Sequence, residues 1–178
     1  TQRGFYTRGN YHPHNEPKIE KAMKENTKKK LKLKVSAIKD GTVIDHIPAK
    51  NLFKVISILG LDKIENQITF GTNLESGKLG AKAIIKVTDK FFKDNEINKI
   101  ALIAPHANLN IIKDYKVVEK RIVEIPDVIN GIVKCFNPKC ITNNETITTC
   151  FKVVLKEPLS LKCRYCEKIT SGEQIKMY

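Results

Sequence analysis

Four cysteines in two pairs, Cys135-x4-Cys140 and Cys163-x2-Cys166, are the residues of this chain best placed to do chemistry. Four thiolates brought to one point make the ligand set of a structural zinc ion, one per chain. With every position taken by sulfur the site is closed, whereas a catalytic zinc keeps one position open for water or substrate. The set therefore predicts a metal that folds the C-terminal third, not one that turns over a substrate. Asn137-Pro138-Lys139 lies inside the first pair and carries turn-setting residues. Cys163-Arg164-Tyr165-Cys166 is the shorter knuckle of a zinc ribbon. A structural disulfide pairing is the competing reading, and the Lys-rich composition without a secretory leader speaks against it. Cys150, in Thr148-Thr149-Cys150-Phe151-Lys152, reads as a buried or half-buried strand thiol outside the metal set.

The elements that position these residues follow from periodicity. A chain of 178 residues accommodates one ordinary domain or two small ones. Leu31, Leu33, Val35 and Ala37 alternate with polar residues, which predicts a half-buried strand. Lys39-Asp40-Gly41 marks a turn, and Thr42-Val43-Ile44 resumes the extended pattern. Pro48 opens a helix through Leu52, Phe53, Ile56 and Leu59 that stops at Gly60. Strands are expected at Gln67–Gly71 and Ala83–Val87, with a loop at Ser76-Gly77. A second helix, with Asp94 as N-cap, carries Ile97, Ile100 and Ala101 on one face and ends at Pro105. Ala107–Ile112 and Lys116–Ile122 complete the strands. This order predicts an α+β fold: an antiparallel sheet with both helices on one face, ferredoxin-like, followed by a small β zinc ribbon. Ile125-Pro126-Asp127 is the expected boundary, separating residues 33–125 from 126–178. A unit of about fifty residues holds little core, so the metal substitutes for missing burial.

Net charge is +13, which by itself raises nucleic acid as a partner. Its distribution weakens that inference. Residues 1–34 hold ten basic and three acidic side chains, so +7 of the total lies there and +6 is left for the rest. This segment is polar, without apolar period, and residues 1–32 are expected to be a disordered basic extension. Met23 is a candidate start within it. No run of eighteen apolar residues exists, so no membrane partner is expected, and a soluble, cytoplasmic protein is.

The residues from Lys39 onward resemble the regulatory chain of aspartate carbamoyltransferase. The likeness lies in Lys39-Asp40-Gly41-Thr42-Val43-Ile44-Asp45-His46-Ile47-Pro48, in Gly77-Lys78-Leu79-Gly80-Ala81-Lys82 and in Ile84-Ile85-Lys86. It returns at Ala104-Pro105, Asn110-Ile111-Ile112 and Tyr115-Lys116-Val117-Val118-Glu119-Lys120, and both cysteine pairs match in order and spacing. The resemblance runs from about Lys34 to the C-terminus. It implies a non-catalytic subunit: an N-terminal allosteric domain that binds nucleoside triphosphates (CTP, ATP, UTP), and a zinc domain that grips the catalytic chain. It further implies a homodimer of regulatory chains bridging catalytic trimers in pyrimidine biosynthesis.

Carried over residue by residue, the resemblance implies a nucleotide pocket in which Val35, Ala37, Ile38 and Val43 face base and sugar. Asp45 lies near ribose and phosphates, and His46 is a phosphate-side contact. Lys86 and Lys120 form the cationic pair for ribose and triphosphate, with Lys82 nearby. Asn110, Ile112, Tyr115 and Val117 form the base-side wall. A triphosphate carries about four negative charges, so convergent cations suit it. Each residue also has a plainer reading: solvated strand-end lysines, a loop histidine, a core wall, or Asp45 as a helix cap. Gly77–Lys82 lacks the spacing of a phosphate loop.

The chain departs from the family in its N-terminal extension, whose lysines are expected to lie near the nucleotide. It departs also in Phe136, where relatives often have proline, and in the extra Cys150. Two other classes remain alternatives. A zinc-ribbon nucleic-acid binder would use basic residues and stacking aromatics, but Asn143-Asn144-Glu145 and Glu157 dilute that region. A zinc deaminase needs a His-x-Glu base, which His106-Ala107-Asn108 does not provide.

Overall fold

The computed structural model describes residues 37–77 and 79–178. The expected extension 1–32 and the first strand residues Leu31–Ser36, Val35 included, lie outside the described residues. Ala37 and Ile38 carry no strand, contrary to the alternation read from the sequence. A polar-apolar alternation specifies a strand only where a neighbouring strand takes up its backbone hydrogen bonds.

Regular structure begins at β1 (Gly41–Pro48). Gly41 has φ +134°, and a Cβ at this position would stand 2.1 Å from the Val87 carbonyl oxygen, so only glycine fits. A 3-10 turn at Ala49–Asn51 leads into α1 (Leu52–Ile58), which is closed by Gly60 in the left-handed region. β2 (Ile68–Ser76) and β3 (Gly80–Thr88) follow, then α2 (Asp94–Ile103). β4 (Asn108–Lys113) and β5 (Lys116–Ile122) form a hairpin turned by Asp114-Tyr115, at φ 47° and 62°. Two successive positive φ values give the turn the twist of its flanking strands.

These strands make one antiparallel sheet in the order β2-β3-β1-β4-β5. Without β5 this is the ferredoxin-like arrangement, with β5 added as an edge strand. Buried Ala83, Ile85 and Val87 alternate along β3 with Lys82, Ile84 and Lys86. The first set packs, together with Ile44, Ile47 and Leu109, against Leu52, Val55 and Leu59 of the α1 region and Ile97, Ile100 and Ala101 of α2. Both helices therefore cover one face of the sheet. Burying each such aliphatic side chain contributes about 1.5–3 kcal/mol.

The N-cap of α2 is Lys93, not Asp94. The Lys93 backbone N–H donates to the Glu96 carboxylate over 2.9 Å, so the acid three residues on closes the first turn. Asp94 becomes the first helical residue, where a carboxylate suits the helix dipole.

The rest of the chain is built from short strands: β6 (Val128–Asn130), β7 (Val133–Lys134), β8 (Cys150–Lys156), β9 (Leu159–Cys163), β10 (Ile169–Ser171) and β11 (Lys176–Met177). One helical turn, α3 (Ile141–Asn144), lies between β7 and β8. The strands form a four-stranded sheet, β10-β9-β8-β6, and a two-stranded one, β11-β7. Their core joins Ile129, Ile132, Val133, Phe151 and Leu161 to Cys135, Cys140 and Cys163. Leu102 of α2, Val153 and Leu159 pack against this core and the first one alike. No described helix is long and apolar enough to cross a membrane.

Candidate functional site

The two cysteine pairs converge. The four sulfurs of Cys135, Cys140, Cys163 and Cys166 all lie within 4.8 Å of one another. Cys135 and Cys166 are 3.6 Å apart, and Cys140 and Cys163 are 3.8 Å apart. Bonds of about 2.3 Å to a tetrahedral ion put sulfurs roughly 3.8 Å apart, so these two separations suit a zinc-sized ion. All five cysteines are free thiols, which removes the disulfide reading. Cys150 is half-buried on β8 and stands outside the cluster.

The electrostatics oppose ionisation at two of the four sulfurs. Burial pushes the Cys135 thiol well above its ordinary range and raises that of Cys163. Cys166 resists its own burial and is drawn down to about 7 by the Lys168 backbone N–H and the Asn137 side chain. Buried thiols that resist ionisation become thiolates when a metal supplies the opposing charge.

Residues that the sequence reading took only as diluting charge turn out to build the first knuckle. Asn143 Nδ2 donates to the carbonyl oxygens of Cys135 (2.9 Å) and Asn137 (2.8 Å). Asn144 Nδ2 donates to those of Cys140 (2.8 Å) and Pro138 (3.1 Å). Thr142, buried, donates its hydroxyl to Cys140 Sγ over 3.2 Å. A Thr-Asn-Asn run beginning two residues after a cysteine is the signal that could have found them, since these side chains bond nearby backbone readily.

The second constellation lies on the helix-free face of the five-stranded sheet. Ile44 faces the helices, so Val43 faces away from them. The register places Val43 opposite Lys86 on β3 and opposite Asn110 on β4, and Asn110 opposite Lys120 on β5. Lys86, Val43, Asn110 and Lys120 thus form one row across four strands. Ile112, two residues beyond Asn110, is buried outside the helix-covered core, as is Val43.

A bulge between Ile44 and Ile47 breaks the β1–β3 register, with His46 at φ 61°. It gathers four polar side chains at one end of the row. Lys82 Nζ lies 2.9 Å from Asp45 Oδ1. His46 Nδ1 lies 3.3 Å from Asp45 Oδ2 and 3.0 Å from Asn108 Nδ2. Asp45 therefore holds Lys82 and its own bulge, and does not cap α1. Asn108 was missed in the sequence; its only signal is the register, which sets it directly opposite Asp45. Burial holds the Lys86 ammonium below its ordinary pKa, opposed by the Asp45 carboxylate.

The other site residues lie beyond the row, toward the β4–β5 hairpin and the start of β1, with Lys120 in the row itself. Tyr115 and Val117 are exposed at the β4–β5 hairpin, and Lys120 is exposed on β5. Ala37 is exposed and Ile38 half-buried. The Tyr115 N–H donates to the Lys39 carbonyl (2.9 Å) and the Asp114 N–H to Asp40 Oδ1 (3.0 Å), which ties the segment entering β1 to the hairpin turn.

A ferredoxin-like sheet with a charged, helix-free face, joined to a small β unit with a four-cysteine cluster, defines an α+β protein with a candidate metal centre. Residues 33–124 match the family model of the aspartate carbamoyltransferase regulatory chain, allosteric domain, and residues 127–176 match that of its metal binding domain. The aspartate carbamoyltransferase regulatory chain of Bacteroides fragilis is 56% identical over 153 residues, 86% of this chain and 98% of the relative. That of Pyrococcus horikoshii is 57% identical over 145 residues, 80% and 95% of the two chains. The Porphyromonas gingivalis protein is 52% identical over 149 residues, 84% and 99%. The chain belongs to the aspartate carbamoyltransferase regulatory chain family, the regulatory and non-catalytic chain of that enzyme.

Proposed function

We propose that the helix-free sheet face binds a nucleoside triphosphate (CTP, ATP or UTP) and that occupancy modulates carbamoyl transfer in a separate catalytic chain. The observation that carries this reading is the row Lys86–Val43–Asn110–Lys120, which puts one cation on each side of a floor made by a valine and an asparagine. Lys86 and Lys120 balance phosphate charge, and Lys82 and His46 extend the positive edge from the Asp45 bulge. Val43, Ile112, Tyr115 and Val117, with Ala37 and Ile38 preceding β1, form the sugar and base side. Base choice falls to backbone amides and carbonyls of the edge segments. Residues 33–125 form the nucleotide domain and residues 126–178 the metal domain that docks the catalytic chain.

The metal is zinc, held by Cys135, Cys140, Cys163 and Cys166. It supplies the crosslink that a small β unit lacks, and four thiols suit a reducing cytoplasm. A homodimer is supported by the two open sheet edges, where Phe70 on β2 and Val117, Val118 and Ile122 on β5 are exposed. Effector binding shifts activity only through unequal affinity for two quaternary states, with coupling of about 1–3 kcal/mol.

Co-expression with the cognate catalytic chain, followed by nucleotide titration of carbamoyl transfer, tests the reading. A change in transfer that Lys86→Gln with Lys120→Gln abolishes is the expected result. Nucleotide-insensitive transfer by an intact complex overturns it. Salt-steep binding to generic DNA would instead favour the nucleic-acid alternative.

A further inference from the structure

We infer that Thr142 is a positioning residue of the metal centre, whose hydroxyl holds the Cys140 thiolate on the ion and slows metal loss. The inference rests on the reading of the four cysteines as a metal site and names a fifth side chain that the site depends on. The Thr142 hydroxyl stands 3.2 Å from Cys140 Sγ, with the oxygen as donor. Thr142 is 6% exposed, so water does not compete for that bond.

Each sulfur is supplied with a donor, but not of the same kind. Backbone N–H groups of Asn137 serve Cys135, and those of Cys166 and Tyr165 serve Cys163. Cys166 takes the Lys168 N–H and the Asn137 side chain. Cys140 takes a side-chain hydroxyl. Four thiolates around a divalent cation leave the centre with two excess negative charges, buried in the C-terminal core. Donors aimed at sulfur spread that charge and fix the ligand's direction. Backbone donors survive any substitution except proline, whereas the hydroxyl at Cys140, like the Asn137 side chain at Cys166, is one that a single mutation removes.

The position of Thr142 is over-determined. Asn143 and Asn144, which follow it, tie α3 to the carbonyls of Cys135, Asn137, Pro138 and Cys140, so the turn that carries the hydroxyl is fixed against the knuckle.

The test uses the full chain loaded with zinc or cobalt(II). Thr142→Val keeps shape and removes the donor, Thr142→Ala gives a second donor-free variant, and Thr142→Ser restores the hydroxyl. Metal release to a chromophoric chelator should be about tenfold or more faster in Thr142→Val and Thr142→Ala, the scale of second-sphere losses, and close to wild type in Thr142→Ser. The sulfur-to-cobalt charge-transfer band should move to lower energy in the donor-free pair only. In the cadmium-113 form of the wild type, a scalar coupling from the Thr142 hydroxyl proton to the metal should appear, a readout that needs no variant. Release rates and bands that match wild type in a metal-loaded, folded Thr142→Val, or absence of that coupling, overturn the inference. A wild-type chain that takes up no metal overturns the metal reading beneath it.

Discussion

Lys82 and Asp45 form a 2.9 Å ion pair at the bulge of β1, with both side chains four-fifths buried. The same carboxylate accepts the His46 backbone N–H over 2.6 Å, so one acid fixes the bulge and the cation together. In so buried a setting the partner left behind is costly. Lys82→Met should therefore destabilise the fold by about 1–2 kcal/mol, and a Lys82→Met/Asp45→Asn cycle should show coupling of about 1 kcal/mol. Urea denaturation measures both; additive single effects would show that the pair is not coupled.

Lys86 predicts a pH dependence. Its folded pKa is lowered, first by burial, with Asp45 opposing. The unfolded chain thus keeps this proton to higher pH than the folded one, and between the two pKa values Lys86 adds stability as pH rises. A bound polyanion works the other way, because it favours the ammonium. Nucleotide affinity should fall as pH rises through the lowered pKa, with proton uptake on binding. Calorimetry in buffers of different ionisation enthalpy reads the uptake, and Lys86→Gln should abolish that component.

Gly41→Ala should cost about 3 kcal/mol or more, because the added Cβ meets the Val87 carbonyl and φ +134° suits no other residue. Thermal unfolding should show the loss. Gly172→Ala, where nothing lies within 4 Å of the added carbon, should cost less, its only penalty being a φ of +55°.

Removing the metal should unfold the β6–β11 region while leaving the helix-covered core in place. Three of the four ligands are themselves core residues beside Phe151, so loss of the ion leaves like-charged or poorly ionised thiols in the interior. Titration with a thiol-reactive mercurial, followed by amide exchange, should show protection lost at Phe151 and Leu161 and kept at Ile85 and Ile44. Retained protection throughout would mean that the ion is dispensable for folding.

Much of this was legible before any coordinates. Ile97, Ile100 and Ala101 recur at helical spacing, and Ala83, Ile85 and Val87 alternate, so element type and buried face follow from where apolar side chains repeat. Two knuckles of the right length can meet at only one ion, so the cysteine spacing carried the metal centre. The helix start slipped by one residue because the cap depends on which backbone N–H the Glu96 side chain reaches, and spacing does not reveal that.

What the chain order alone determined is the local repertoire: strands, helices, turns and a four-thiolate set, each dictated by residues near one another. What only the tertiary structure decided is which distant residues become neighbours. Asp45 meets Lys82 and Asn108 through strand register and a bulge, and Lys86 and Lys120 share a row because two intervening strands bring them into line. Thr142 reaches sulfur because one turn of helix folds back on its own knuckle. Register is a property of paired strands, set by the whole sheet's burial, and no single segment contains it.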